Sequence, residues 1–282
     1  MRAKIEAWGK WKIIWLRSDD LDGCIQYYQD NKLDGFGISQ YEGFEDQRLE
    51  FLKKFPRLEA LVIPYANKFD ISPLQSLKQL RFLSLSGSTQ ELDLGIFPRL
   101  EEIRIECHRK LTLPPPQSSS LTAIYLRCYK PAIHDLEELS SYAKLRRIEL
   151  VQSSIRSLAG GERLRLLQHA EFSYLPKLEI IAQVARTPVE LLHFEVCRSI
   201  RDPESLATAP QLKILRYLNC GKLESIKFIA KIKTLEEFRF VKTKILDGDL
   251  SPLLRLKAVG FLPAKWYSHT PKQIEELIPS RD

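Results

Sequence analysis

The sequence predicts an α/β solenoid: a curved parallel sheet on the concave face, with short helices, 3₁₀ turns and loops on the convex face. Three observations predict it. One pattern recurs along most of the 282 residues at a mean spacing of 22. Within each copy the apolar residues stand at positions one, four and six. No copy is long enough to bury its own apolar residues, so each needs a neighbour on either side.

At the amino end, RSDDLDGCIQYYQDNK (17–32) places Leu21, Cys24, Ile25 and Tyr28 on one helical face, with Ser18 or Asp19 as the expected cap. With KIIWL (12–16) ahead of it, the segment 1–32 reads as an N-terminal cap over the first turn.

The repeats fill 33–262, opening with KLDGFGISQ (32–40). The template is shared by RLEALVIPYAN (57–67), QLRFLSLSGST (79–89), RLEEIRIECHR (99–109), SLTAIYLRCYK (120–130), KLRRIELVQSS (144–154), QLKILRYLNCG (211–221) and TLEEFRFVKTK (234–244). Weaker copies are LLQHAEFSYLP (166–176) and PVELLHFEVCR (188–198), and RLKAVGFL (255–262) is the last. The opening positions run from Leu58 through Leu80, Leu100, Leu121, Leu145, Leu167, Val189, Leu212 and Leu235 to Leu256, 198 residues in nine intervals. In this frame Leu145, Ile148 and Leu150 point into the coil, while Arg146, Arg147 and Glu149 point away. Parallel strands are expected at 59–64, 81–86, 101–106, 122–127, 146–151, 168–173, 190–195, 213–218, 236–241 and 257–262.

Return segments such as ISPLQSLKQL (71–80) and ESIKFIAKIKTL (224–235) supply the opposite wall. Ser72–Pro73, Asp202–Pro203 and Ser251–Pro252 read as helix caps followed by proline. The run LPPPQSSS (113–120) is expected to be extended, since proline lacks a donor and fixes its backbone. Beyond the last repeat, 263–282 reads as a C-terminal cap of the same structural domain. Trp266 and Tyr267 are expected over the last turn, followed by a closing helix in PKQIEELI (271–278).

These repeats resemble the leucine-rich repeat family, L-x-x-L-x-L-x-x-N/C-x-L, over about residues 33 to 262, and KWYSHT (265–270) is similar to tails in some bacterial cytosolic members. The ninth position departs from the family's asparagine, with Ala66, Ser88, His108, Tyr129, Ser153, Leu175, Cys197, Cys220 and Thr243 there instead. Leu175 cannot bond neighbouring backbone, and an irregular coil is expected around it.

Composition narrows the function classes. No apolar run approaches the ~18 residues of a membrane span, and Lys10, Lys12 and Arg17 break the first apolar stretch, unlike a signal peptide. Five cysteines without a CxxC pair suggest a reducing, cytoplasmic setting and free thiols, although Cys107 with Cys128, and Cys197 with Cys220, stand one turn apart. The net charge is +7. The outward template positions nevertheless carry ten basic and ten acidic residues, which places the excess on cap and convex segments. Interleaved glutamates oppose a phosphate backbone and suit another protein.

The partner-binding candidates are Arg104, Tyr125, Arg127, Arg147, Glu149, His169, Glu171, Tyr174, His193, Glu195 and Arg216. Glu149 and Glu171 should be adjacent like charges, neutralised by Arg127, Arg147 and His193 or by a partner's cation. His169, Glu171 and His193 could be read as zinc ligands, but neighbouring strands rarely close a tetrahedron, and an interface patch is the expectation. No phosphate loop, nucleophile elbow or metalloprotease signature appears, and His269 has no nucleophile near it in sequence. The expected function is non-catalytic and cofactor-free: a monomer when free that binds a folded protein on its concave face. The resemblance to stand-alone bacterial proteins implies an immunity protein occluding a toxin. A secreted effector or adaptor and an RNA-binding solenoid are the alternatives.

Overall fold

The computed structural model describes residues 4–278. The first three residues of the expected N-terminal cap and the last four of the C-terminal cap lie outside them. The chain is an α/β solenoid that divides into two compact units, Met1–Leu126 and Arg127–Asp282.

The first unit starts with an antiparallel hairpin, β1 (Ile5–Trp8) and β2 (Trp11–Trp15), followed by helix α1 (Leu21–Asp30). Neither Ser18 nor Asp19 caps α1. A 3₁₀ turn, Ser18–Asp20, precedes the helix, and the Ser18 hydroxyl instead accepts from the Glu45 and Asp46 amides. Parallel strands then add one per turn to β2: β3 (Gly35–Gly37), β4 (Ala60–Ile63), β5 (Phe82–Leu85), β7 (Glu102–Glu106) and β9 (Ala123–Arg127). A two-residue ladder, β6 (Leu92–Asp93) with β8 (Leu111–Thr112), joins two return segments.

β3, β4 and β5 are buried on both faces. Trp11, Ile13 and Trp15 cluster with Ala60, Val62 and Phe82, and Trp8 packs alongside. The Trp11 and Phe82 rings stack at 6.0 Å and 9°. The hairpin therefore covers outward positions that the repeat frame left open. Gly37 makes room for it, since a Cβ there would stand 2.6 Å from the Trp15 ring.

The second unit carries α2 (Glu137–Ser140) and the parallel ladder β10 (Arg147–Val151), β11 (His169–Ser173), β12 (Leu191–Glu195), β13 (Ile214–Leu218), β15 (Glu237–Arg239) and β17 (Ala258–Gly260). On its return side β14 (Gly221–Leu223) pairs with β16 (Thr243–Ile245). β10 to β13 alternate half-buried and buried residues, the burial signature of one core face and one open face. The template's sixth position stacks aromatics through this core. Phe172 meets Phe194 at 5.7 Å, Phe194 meets Tyr217 at 5.0 Å, and Phe240 meets Phe261 at 5.0 Å and 5°.

At the template's eighth position the chain leaves β9, β10, β11, β12, β13 and β15 through a left-handed residue. Cys128, Gln152, Tyr174, Val196, Asn219 and Lys242 all have φ between 54° and 59°. The amides of Gln152, Tyr174 and Val196 still donate to the next turn, at Ser173, Glu195 and Leu218. The coil stays regular past Leu175, contrary to expectation. The backbone turn is made one residue earlier, and Leu175 itself is fully buried. Elsewhere the ninth residue ties the turns. The Ser153 hydroxyl donates to Tyr129 O, the Cys197 thiol to Phe172 O, and the Thr243 hydroxyl to Tyr217 O. None of the five cysteines is in a disulfide; burial pushes the Cys197 thiol up to about 12 and the Cys220 thiol up to about 11.

The return segments are mostly 3₁₀ turns. Pro73, Pro203 and Pro252 stand in their first turns, but Ser72, Asp202 and Ser251 do not cap them. Asp70 and Asp249 accept from the Ser72 and Ser251 amides two residues on. Asp202 reaches the previous turn and accepts from Ile181 and Ala182. The proline run is extended only to Pro115 and then makes a 3₁₀ turn, Pro116–Ser118. A 3₁₀ start needs no donor from Pro116 and suits its fixed φ. The chain closes with α3 (Pro271–Leu277), capped by Thr270 in a capping box with Gln273. Tyr267 packs on Phe240 and Phe261, whereas Trp266 is half-exposed and donates to Ile245 O. Among the described residues no helix is long and apolar enough to cross a membrane.

Candidate functional site

The open face of the second unit is built by register. One row runs Glu149, Glu171, His193, Arg216, Arg239 across five strands, and the row beside it runs Arg147, His169, Leu191, Ile214, Glu237. Side chains alternate along each strand, so both rows face away from the core.

Glu149 and Glu171 are direct register partners, and the cost of that like-charge pair is met locally. Arg147 Nε lies 3.2 Å from Glu149 and its Nη2 4.0 Å from Glu171. His169 Nε2 approaches Glu171 at 3.0 Å and His193 Nδ1 approaches it at 3.5 Å. A carboxylate accepts, so those two nitrogens carry the protons. His169 and His193 hold the Glu171 carboxyl far below the usual range against the opposing effect of burial. Arg147 Nη2, 3.4 Å from His169 Nε2, therefore cannot donate to that nitrogen and is left to the carboxylates. Both imidazoles are spent on one carboxylate rather than converging on a common point. Among the described residues no group of three or more His, Cys, Asp or Glu is placed to hold a metal ion.

Ion-pair groups form elsewhere in each unit as well. Glu237 is shared by Arg216 at 2.8 Å and Arg239 at 2.9 Å. In the first unit the Arg104 guanidinium lies 5.5 Å over the Tyr125 ring and 3.6 Å from Glu102. The structure thus brings together Arg147, Glu149, His169, Glu171 and His193, and places Arg216 on the next strand of the same face. Arg127 does not join the glutamates; its Nε donates to Gln152 at the strand's end. Tyr174 follows the end of β11 in a left-handed conformation and is half-exposed. Glu195 stands in a third row, between Ser173 and Leu218.

The sequence reading missed Glu237 as the anchor of two arginines, although its template position beside Ile214 was readable. It also missed the half-buried Leu191, Ile214 and Leu218, which put apolar surface between the charges. A shallow depression of about 410 Å³ opens there, among Gln168, His169, Glu190, Leu191, Lys213 and Ile214.

The coil of one short strand per 22-residue turn matches an internalin from Listeria monocytogenes with a TM-score of 0.57 and 19% identity, over 85% of this chain and 70% of that one. This is the leucine-rich repeat fold. The leucine-rich repeat domain of the type III effector XopL is similar at a TM-score of 0.51 and 15% identity, over 75% of this chain and 78% of that one. A TLR13–ssRNA13 complex gives 0.54 at 16% identity; the match covers 81% of this chain but only 39% of that one. Comparison with protein-family models gives no match, and comparison with curated proteins gives no significant one. At these identities the likeness carries the leucine-rich repeat fold and not a function.

Proposed function

We propose that this leucine-rich repeat chain is a non-catalytic interaction module that holds a folded protein on the open sheet face of its second unit. The observation that carries the reading is the pair of rows across β10 to β15. Fixed ion pairs of both signs alternate there with half-buried Leu191 and Ile214. Side chains already locked by their neighbours lose little freedom on binding. Apolar patches rimmed by charges of both signs suit a protein surface, where complementary charges set register and encounter rate. A nucleic-acid backbone is disfavoured because Glu149, Glu171 and Glu237 stand in those rows.

The specific form we put forward is an immunity protein, monomeric when free, that occludes a bacterial toxin in the cytoplasm. A secreted effector or adaptor that binds a host protein is the alternative; detection of the chain outside producing cells decides for it.

The test is binding of the purified partner, once it is captured by cross-linking, to two face variants. Glu149→Lys with Glu171→Lys should weaken binding about 100-fold, roughly 2.7 kcal/mol. Ile214→Arg, which cuts no ion pair, should do the same and guards against misfolding of the first variant. The return-side residues Glu137 and Glu138 are unsuitable as a comparison, since Glu137 pairs with Arg163 and Glu138 accepts from the Tyr129 hydroxyl. Exposed Lys53 and Lys54 serve instead, and their reversal to Glu should leave affinity unchanged. Loss of binding with the lysine pair but not with the face variants overturns the reading. Micromolar RNA binding that salt abolishes moves the function to nucleic acid.

A further inference from the structure

The net charge of +7 is not spread evenly over the surfaces away from the open face. Five cations of the second unit, Arg198, Arg201, Lys222, Lys227 and Lys231, line one groove of about 720 Å³ on the return side. It lies between the segments that follow β12 and β13. Only Glu204 and Glu224 oppose them, so five cations against two carboxylates leave three positive charges.

Glu179, paired with Arg201, offsets part of that excess, and Asp249 is close enough to Lys227 to feel its charge. Lys222, Lys227 and Lys231 are exposed and make no ion pair among the described residues. Glu204 and Glu224 likewise make none, so the groove's own carboxylates do not draw the lysines down. Asp202, between Arg201 and Pro203, accepts from the Ile181 and Ala182 amides and keeps its negative charge, so the unpaired cations of the groove are the three lysines of its rim. Two cations are held in place from behind: Arg201 by Glu179 at 3.3 Å, and Arg198 by the neutral Asn219 side chain at 3.2 Å. Self-repulsion among like charges destabilises the fold, and the three lysines of the rim are exposed.

The floor differs from the rim. Leu223 and Phe228 are buried beneath the lysines, and Ile200 is half-buried beside them. The volume falls in the range of small-molecule sites, about 300–1,000 Å³. A nucleic-acid strand needs a charged track across many turns, whereas this groove is confined to two. Lysine is a point charge on a flexible stem and takes phosphate without fixed geometry.

We propose that this groove binds a multiply phosphorylated small molecule with a flat aromatic body, of the nucleoside triphosphate class. The phosphates meet Lys222, Lys227 and Lys231, and the ring lies against the Leu223–Phe228 floor. The site is independent of the protein-binding face, which lies on the other side of the same turns.

Calorimetric titration of the full chain with ATP, inorganic triphosphate and adenosine tests this at about 50 mM salt, where screening is modest. ATP should bind with a Kd below about 100 μM, inorganic triphosphate at least fivefold more weakly, and adenosine not measurably. Lys222→Glu with Lys227→Glu should weaken ATP at least 30-fold. Lys130→Glu with Lys144→Glu, the same change of charge at exposed sites elsewhere, should not alter it. Should the first pair melt early, Lys231→Glu alone repeats the test with an expected tenfold loss. The proposal is overturned if ATP does not bind, or if both lysine pairs weaken it equally. Triphosphate as tight as ATP removes the aromatic body from the proposal. A single-stranded RNA that outcompetes ATP, with affinity rising with length, makes the groove part of a strand track and overturns the small-molecule assignment.

Discussion

Val196 tests whether the coil imposes its backbone on whatever residue it meets. It occupies the left-handed column at φ 54°, in line with Asn219 at the same angle on the next turn. A residue with a Cβ gives up roughly 1–2 kcal/mol there, and a β-branched one is the worst fit, while asparagine is enriched. Val196→Asn should recover most of that cost. Val196 is only half-buried, so its lost apolar contact offsets about 0.5 kcal/mol. The net expectation is a gain of about 0.5–1 kcal/mol. The reciprocal Asn219→Val should lose about 1 kcal/mol or more, because it also cuts the Arg198 contact to Asn219. Urea unfolding followed by far-ultraviolet circular dichroism reads both. With a slope of about 3 kcal/mol/M for a chain of this size, the midpoint should rise by about 0.2–0.3 M for Val196→Asn and fall by about 0.3 M or more for Asn219→Val. A lowered midpoint for Val196→Asn, or an unmoved one for Asn219→Val, refutes the reasoning: the backbone would then be following the side chain.

Leu150→Ala, at a fully buried position, should cost about 2–5 kcal/mol, while Glu149→Ala beside it should cost under about 1 kcal/mol; equal losses would mean the two faces are reversed. Gly37→Ala sets a methyl 2.6 Å from the Trp15 ring and should cost about 1–3 kcal/mol, with a change in tryptophan emission. Glu171→Gln should cost about 1–3 kcal/mol at pH 7 by removing a charged acceptor from two histidines. Because the folded carboxyl is depressed, its stabilisation is complete above the ordinary pKa of about 4.3 and is lost as pH falls toward the folded value. The gap between wild type and variant, measured by urea midpoints, should therefore narrow below about pH 4; a constant gap means the carboxylate is not its source.

The repeat made most of the coil legible. Strands appear in every predicted window, each starting one residue late and ending within one residue of the window except β15 and β17, which end two residues early, because the apolar period alone sets which residues face inward. The pairing of Glu149 with Glu171 followed from the same frame. What local pattern could not give was what lies over the sheet. KIIWL lies largely in β2, which pairs parallel with β3 ahead of the first turn, but the side chains of Trp11, Ile13 and Trp15 reach farther, to Ala60, Val62 and Phe82. The signal was present in Gly35, Gly37, Ala60, Val62 and Phe82, an outward set with no charge in it. The caps failed for a related reason. Ser72, Asp202 and Ser251 have capping chemistry, but competing acceptors and donors in three dimensions claimed them. Arg127 goes to Gln152 instead of the glutamates beside a column of left-handed residues at the strand ends, and nothing in residues as different as Gln152 and Val196 announces that column.

The chain has four tryptophans, and three of them, Trp8, Trp11 and Trp15, sit in the opening hairpin, the fourth being Trp266 near the other end. The aromatic stack of the second unit, from Phe172 to Phe261, contains none. The molecule is thus labelled by its own optics. Buried Trp11 and Trp15 report the hairpin at short emission wavelengths, half-exposed Trp266 reports the tail at longer ones, and the turns between are silent to both. Repeat arrays need not melt all at once. Emission and circular dichroism recorded on one sample therefore time the loss of the hairpin against the loss of the strands, with no engineered probe.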